Sequence, residues 1–150
     1  GAEAERDLQT ALEYTPDRRI RTSILIKMGS NRETNLEDDD AALEAYRRNF
    51  EFVGRIGGAD EFRSIQGAAR ILTGQGKFDE ALSVLDRAEV DEQKGYWRFA
   101  ILLSLGETLA AAGRTDDALS ALRSVSEDDS AETGQRRQAE EAIREIEESQ

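Results

Sequence analysis

Two stretches of the chain follow the same residue grammar. Ala68–Ala88 (AARILTGQGKFDEALSVLDRA) places one apolar helical stripe before a glycine and a second after it. Leu105–Val125 (LGETLAAAGRTDDALSALRSV) does the same 37 positions on. Laid together, Ala69 falls on Gly106, Leu72 on Leu109, Gly76 on Gly113, Ala81 on Ala118, Leu85 on Leu122 and Ala88 on Val125, and Phe62 and Ile65 fall on Phe99 and Leu102. A helix–turn–helix unit cannot bury its stripes alone, so recurrence at this spacing predicts stacked units, an α-solenoid. Gly76 and Gly113 permit the positive φ that ends a helix. Asp79 and Asp116 stand where a side chain can accept from the first free N–H groups of the next helix. The small residues Ala81 and Ala118 predict a close helix crossing.

These residues resemble the tetratricopeptide repeat. That family has a small residue, a turn glycine, an acidic pair, an Ala, a large residue and a second small residue, with a period of about 34. Here they are Ala69, Gly76, Asp79-Glu80, Ala81, Leu85 and Ala88, then Gly106, Gly113, Asp116-Asp117, Ala118, Leu122 and Val125. The chain departs from the pattern in three ways: Leu72 and Leu109 stand where an aromatic is usual, no Pro follows Ala88, and the spacing is a little long. The resemblance implies an all-α fold, a right-handed α-α superhelix of about eight helices in a single domain. Its divisions are a partial repeat at 1–16, a repeat at 17–56 with a long inter-helix loop at 30–40, repeats at 59–92 and 94–129, and a capping helix at 134–149. It also implies a protein–protein interaction module, an adaptor or scaffold whose first helices line a concave groove for a peptide or partner helix. Carried over by position, the groove residues are Lys27, Arg63, Gln66, Arg70, Leu103, Glu107 and Arg137. The family's carboxylate-gripping Lys and Asn are replaced by Gln66 and Arg70, and in the next repeat by Leu103 and Glu107, so that clamp is absent as a motif. The alternatives are a structural or oligomerisation segment of a larger repeat protein, or an accessory domain of an enzyme whose chemistry lies elsewhere.

Composition narrows the function. A net charge of −12 disfavours nucleic acid and anionic membranes. There is no Cys, hence no disulfide or thiolate, and no His, hence no imidazole base or triad. No apolar run approaches the ~20 residues of a membrane span. No cofactor is implied, and the compartment is not readable. The acids Glu37-Asp38-Asp39-Asp40 admit a metal reading, but calcium loops space their ligands alternately and add a glycine and a distal Glu. Acids just before Ala41-Ala42-Leu43 suit a helix start instead. Gly57-Gly58 follows a predicted helix and lacks a GK[ST] ending, so it reads as a turn rather than a phosphate loop.

Along the chain, Ala4, Leu8, Ala11 and Leu12 predict a helix ending before Pro16. Its partner first helix either lies upstream or is absent, this helix then capping the array. Leu8, Leu12 and Tyr14 would then be exposed core-type surface, able to pair with a second copy or with preceding repeats. Asp17 to Gly29 predicts a helix with stripe Ile20, Ile24, Leu25 and Met28, closed by Gly29, with Leu36 pinning the loop that follows. Ala41 to Arg55 predicts a long helix in which Ala42, Tyr46 and Asn49 take the places of Ala81, Leu85 and Ala88, extended by Phe50 and Val53. Tyr96 and Trp97 form either an aromatic binding patch or a cover for the linker. From Ser126 onward nine carboxylates face three Arg, and Ala139, Ala142, Ile143 and Ile146 make one narrow stripe. That fits a polar terminal cap or a docking helix for a basic partner. The register puts Ala81 and Ala118 in the core. Ala81→Arg or Ala118→Arg should therefore cost several kcal/mol, enough to unfold a marginal domain. A thermal melt unchanged by both substitutions would show the repeat alignment to be wrong.

Overall fold

The computed structural model describes residues 1–51 and 53–150. Among them are eight α-helices, a short 3-10 turn and no strand: α1 (Ala2–Tyr14), α2 (Arg18–Thr34), α3 (Asp39–Arg48), α4 (Ala59–Gly74), α5 (Phe78–Asp86), the 3-10 turn Val90–Glu92, α6 (Gly95–Ala111), α7 (Thr115–Ser126) and α8 (Thr133–Glu148). The all-α, helical-repeat fold class is thus what the sequence implies. The chain forms two compact units, Gly1–Ile71 and Leu72–Gln150, and the division falls within α4.

In the first unit α1 packs on α2, and α2 on α3. Leu12, Ile24, Leu25, Met28 and Ala45 make one buried cluster, with Leu8 partly buried against it. The α1 stripe is narrower than predicted, because Ala4 and Ala11 are exposed. Leu8 and Leu12, expected to be uncovered, are used against α2, and the large exposed side chain of α1 is Tyr14. Asp17 caps α2 from the position before it: its Oδ1 accepts from Arg19 N at 2.9 Å and Ile20 N at 3.1 Å. Ile20 is 54% exposed, so the stripe of α2 begins at Ile24.

Four corrections concern the segment from Gly29 to Val53. The predicted loop 30–40 is helical as far as Thr34. Asn31, Arg32 and Glu33 within it are buried or half-buried. Asn31 is buried and donates to Glu5 Oε2 at 3.3 Å, Arg32 Nε donates to Glu5 Oε1 at 2.8 Å, and Arg32 Nη1 reaches Ala41 O at 2.9 Å. Leu36 does not pin the connection; it is exposed. Helix α3 begins at the acidic run, where Asp38 Oδ1 accepts from Ala41 N at 3.0 Å. It ends at Arg48 rather than Arg55, in turns such as Phe50 N to Arg47 O at 3.1 Å. Phe50 is buried beyond its end, and Phe52 lies outside the described residues.

Gly29 does not end α2. It sits inside the helix, where the ring of Tyr46 lies directly against it, and Gly67 of α4 meets the other edge of the same ring. A methyl at Gly67 would come within 2.7 Å of the ring, and one at Gly29 closer still. In the second unit Gly106 of α6 receives Leu122 of α7 in the same way, at 2.6 Å from an added methyl to Leu122 Cγ.

In the second unit α5 packs on α6, α6 on α7, and α8 on both α7 and α6. Phe99, Leu102, Leu103, Leu122, Val125 and Ala139 are among its core, with Ile143 and Ile146 partly buried against them. Both predicted turns close identically. Gly76 and Gly113 have φ of 75° and 78°. Lys77 N then bonds Leu72 O and Arg114 N bonds Leu109 O, each at 2.9 Å, the 6→1 closure of a Schellman motif. Asp79 and Asp116 make no side-chain cap; they lie in the first turns of α5 and α7, where they favour the helix dipole. Glu132 and Gln135 form a capping box on α8.

Overpacking a close crossing costs about 1–3 kcal/mol. Gly29→Ala, Gly67→Ala and Gly106→Ala should each lower the stability measured by urea denaturation by that amount. Gly134→Ala, on α8 with open space around it, should be neutral or stabilising by up to about 1 kcal/mol. Equal effects at all four sites would contradict the close approach.

Candidate functional site

Arg63, Gln66 and Arg70 recur on α4 at intervals of three and four, which puts them on one helix face. Arg63 and Arg70 each have a carboxylate partner within the first unit. Arg63 Nη1 donates to Asp60 Oδ1 at 3.1 Å. Arg70 grips Glu33 of α2 with both arms of its guanidinium, Nε to Oε1 at 2.9 Å and Nη2 to Oε2 at 2.8 Å. The hydroxyl of Tyr46 donates to the same carboxylate at 2.9 Å. Lys27 is exposed on α2. In the second unit Glu107 of α6 is exposed and accepts from Gln138 Nε2 at 3.0 Å, and Arg137 is exposed on α8. Leu103 is 5% exposed and belongs to the core, so its expected groove position is corrected: it faces α7 and α8 rather than a ligand.

Apolar periodicity gives no sign of the Glu33–Tyr46–Arg70 network. Burial pushes the Glu33 carboxyl up, but the hydrogen bonds from Arg70 and Tyr46 and the Arg70 charge outweigh it, and the net shift is down. Burial, then the hydrogen bond to Glu33 and its charge, push the Tyr46 hydroxyl well above its ordinary range. The bond to Glu33 raises Arg70 against its own burial. Since the Arg70 side chain is 61% exposed, the ion pair itself stabilises by no more than about 1 kcal/mol.

Each unit has open clefts of its own. In the first, a space of about 730 Å³ lies between the starts of α2 and α4, bordered by Arg19, Ile20, Asp60 and Arg63 among others. In the second, a cleft of about 460 Å³ lies among α6, α7 and α8, bordered by Glu107, Ala110, Leu122, Ala142, Glu145 and Ile146 among others. Tyr96, half exposed, meets Trp97 edge to face at 5.0 Å at the start of α6. Gln135 of α8 donates to the Tyr96 carbonyl at 3.1 Å, so this aromatic pair stands beside the α8 contact. Among the described residues no helix is long and apolar enough to cross a membrane.

Helix pairs closed by matching glycine turns define a helical-repeat protein. Residues 72–135 match the family model described as Tetratricopeptide repeat, and over them the chain is similar to that family. Such repeats are in general non-catalytic modules of protein–protein interaction. No match is found among curated proteins or among solved structures.

The network makes stability depend on pH at both ends. A lowered Glu33 contributes stability above its ordinary value of 4.5, lost as pH falls through that region. A raised Tyr46 contributes stability below its ordinary value of 10.0, lost as pH rises beyond it. Tyr46→Phe should cost about 1 kcal/mol at neutral pH and should remove part of the loss seen above pH 10.0. Glu33→Gln should flatten the acid limb. Denaturant midpoints across the pH range test both, and limbs identical to those of the parent chain would contradict the network.

Proposed function

We propose that the chain is a protein–protein interaction module, an adaptor or scaffold that holds a peptide or partner helix. The observation that carries this reading is the tetratricopeptide match over residues 72–135, together with the open cleft of that same unit beside Glu107, one of the expected groove positions. Arg137 is the other exposed groove position there. On the first unit, an acidic or C-terminal peptide would meet Lys27 directly. It would have to displace Asp60 from Arg63 and Glu33 from Arg70, which favours the second unit as the carrier of the function.

The test is affinity capture by the tagged chain from its native host, followed by titration calorimetry with the purified partner. Glu107→Arg with Arg137→Glu should weaken that partner at least tenfold at an unchanged melting temperature. Lys27→Glu with Arg63→Glu should have the smaller effect. Equal affinity for all variants would remove the groove assignment. A chain that captures nothing and instead forms a stable oligomer through a large interface would support the structural-segment reading.

A further inference from the structure

We propose that the cleft among α6, α7 and α8 takes a cationic amphipathic segment of a partner protein, its apolar side chains on the floor and its Lys or Arg side chains on the rim. This rests on the interaction-module reading and names the partner's chemistry. The floor is apolar: Ala110, Leu122, Ala142 and Ile146 border the cleft, and Ala110, Ala142 and Ile146 are only half-buried. At about 460 Å³ it falls within the ~300–1,000 Å³ range of ligand pockets. The rim carries a carboxylate from each of two helices, Glu107 of α6 and Glu145 of α8. Among the described residues neither is in an ion pair; Glu107 accepts one amide N–H, from Gln138. Three arginines of this unit pair with other carboxylates: Arg114 with Asp79, Arg123 with Glu147 and Arg136 with Asp129.

The charge of the whole unit points the same way. Residues 72–150 hold eighteen Asp and Glu against nine Lys and Arg, a net −9, while residues 1–71 hold fourteen against eleven, a net −3. An apolar floor under an acidic rim rejects an acidic peptide by repulsion and a purely polar basic one for want of burial, so both halves of the segment's chemistry are specified. A second copy of this chain would bring its own net charge of −12 to the rim, which argues against self-association here.

The probe is a fluorescein-labelled helical peptide of Leu and Lys in amphipathic order. Its two controls are the same peptide with every Lys replaced by Glu, and with every Leu replaced by Ser. Fluorescence anisotropy with the intact chain should show the Leu/Lys peptide binding at least tenfold more tightly than either control and weakening as salt rises. Glu107→Gln with Glu145→Gln, both on exposed positions, should weaken it about tenfold with an unchanged melt. Ala110→Arg should block it while leaving the melt within a few degrees. Equal binding of the Leu-to-Ser control, binding retained by the double variant, no binding of any peptide at millimolar concentration, or a dimer that excludes the peptide would each overturn the proposal. A natural partner held equally by the parent chain and by Glu107→Gln with Glu145→Gln, yet lost on another surface substitution, would leave the interaction module standing and remove this cleft.

Discussion

In each unit a large side chain on one helix is seated where its neighbour has no Cβ. Tyr46 fills the space beside Gly29 and Gly67, and Leu122 fills the space beside Gly106. Helix axes usually stand 8–10 Å apart according to the side chains at the contact, and a bare Cα permits the near end of that range. Other features of the first unit follow from this approach. With the Tyr46 ring held between two glycines, its hydroxyl arrives at Glu33, and the same carboxylate is then placed to receive both arms of Arg70. A smaller side chain at position 46 would leave the glycines facing a void, and a bulkier residue at 29 or 67 would push the ring, and with it the hydroxyl, out of reach.

The second unit was the more legible in the sequence. Its apolar periodicity, its two turn glycines and the register placing Ala81, Leu85, Ala118 and Leu122 in the core are all present in the structure. The first unit misled where polar residues do structural work. Asn31, Arg32 and Glu33 read as loop because apolar periodicity treats them as outward, yet each finds a partner on another element and the helix runs on through them. Gly29 read as a terminator because a glycine before a polar stretch commonly is one; here the missing Cβ serves packing rather than φ. Leu103 was carried to a groove by analogy of position, and the core of α6 claims it. Some of the missed pairing did leave a signal. Glu33 and Arg70 are 37 residues apart, the offset of the repeat itself, and Asp79 and Arg114 are 35 apart. Opposite charges about one period apart are candidate partners between successive helix pairs, a pattern that hydrophobic periodicity does not score.

Asn49 shows the cost of a polar residue at a packed position. It stands where the later repeat has Ala88, and it is buried. Its amide nitrogen donates to Ser64 Oγ at 2.8 Å and to Thr22 O at 3.1 Å, tying the end of α3 to both α4 and α2. Ser64 in turn donates to Asp60 O, so the tie continues down α4. The carbonyl oxygen of Asn49 has no partner among the described residues, a debt of about 1–3 kcal/mol set against the two bonds its nitrogen makes. Alanine at the equivalent site avoids that debt but links nothing. The first unit, whose α3 is short and followed by turns, gains from the link an anchor for a helix end that apolar packing alone would hold less firmly.

The uneven charge of the two units has a kinetic consequence. At physiological ionic strength a field decays over about 8 Å, so a net −9 gathered on residues 72–150 is felt by an approaching molecule before any contact forms. Cations are drawn toward that unit and anions are turned away, which changes how often productive encounters occur without adding a single bond to the final complex. Two ligands of equal affinity but opposite charge would then differ in arrival and in departure. The cationic one would come quickly and leave quickly, and the anionic one would be slow in both directions. A protein built this way sorts its neighbours by rate before it sorts them by fit.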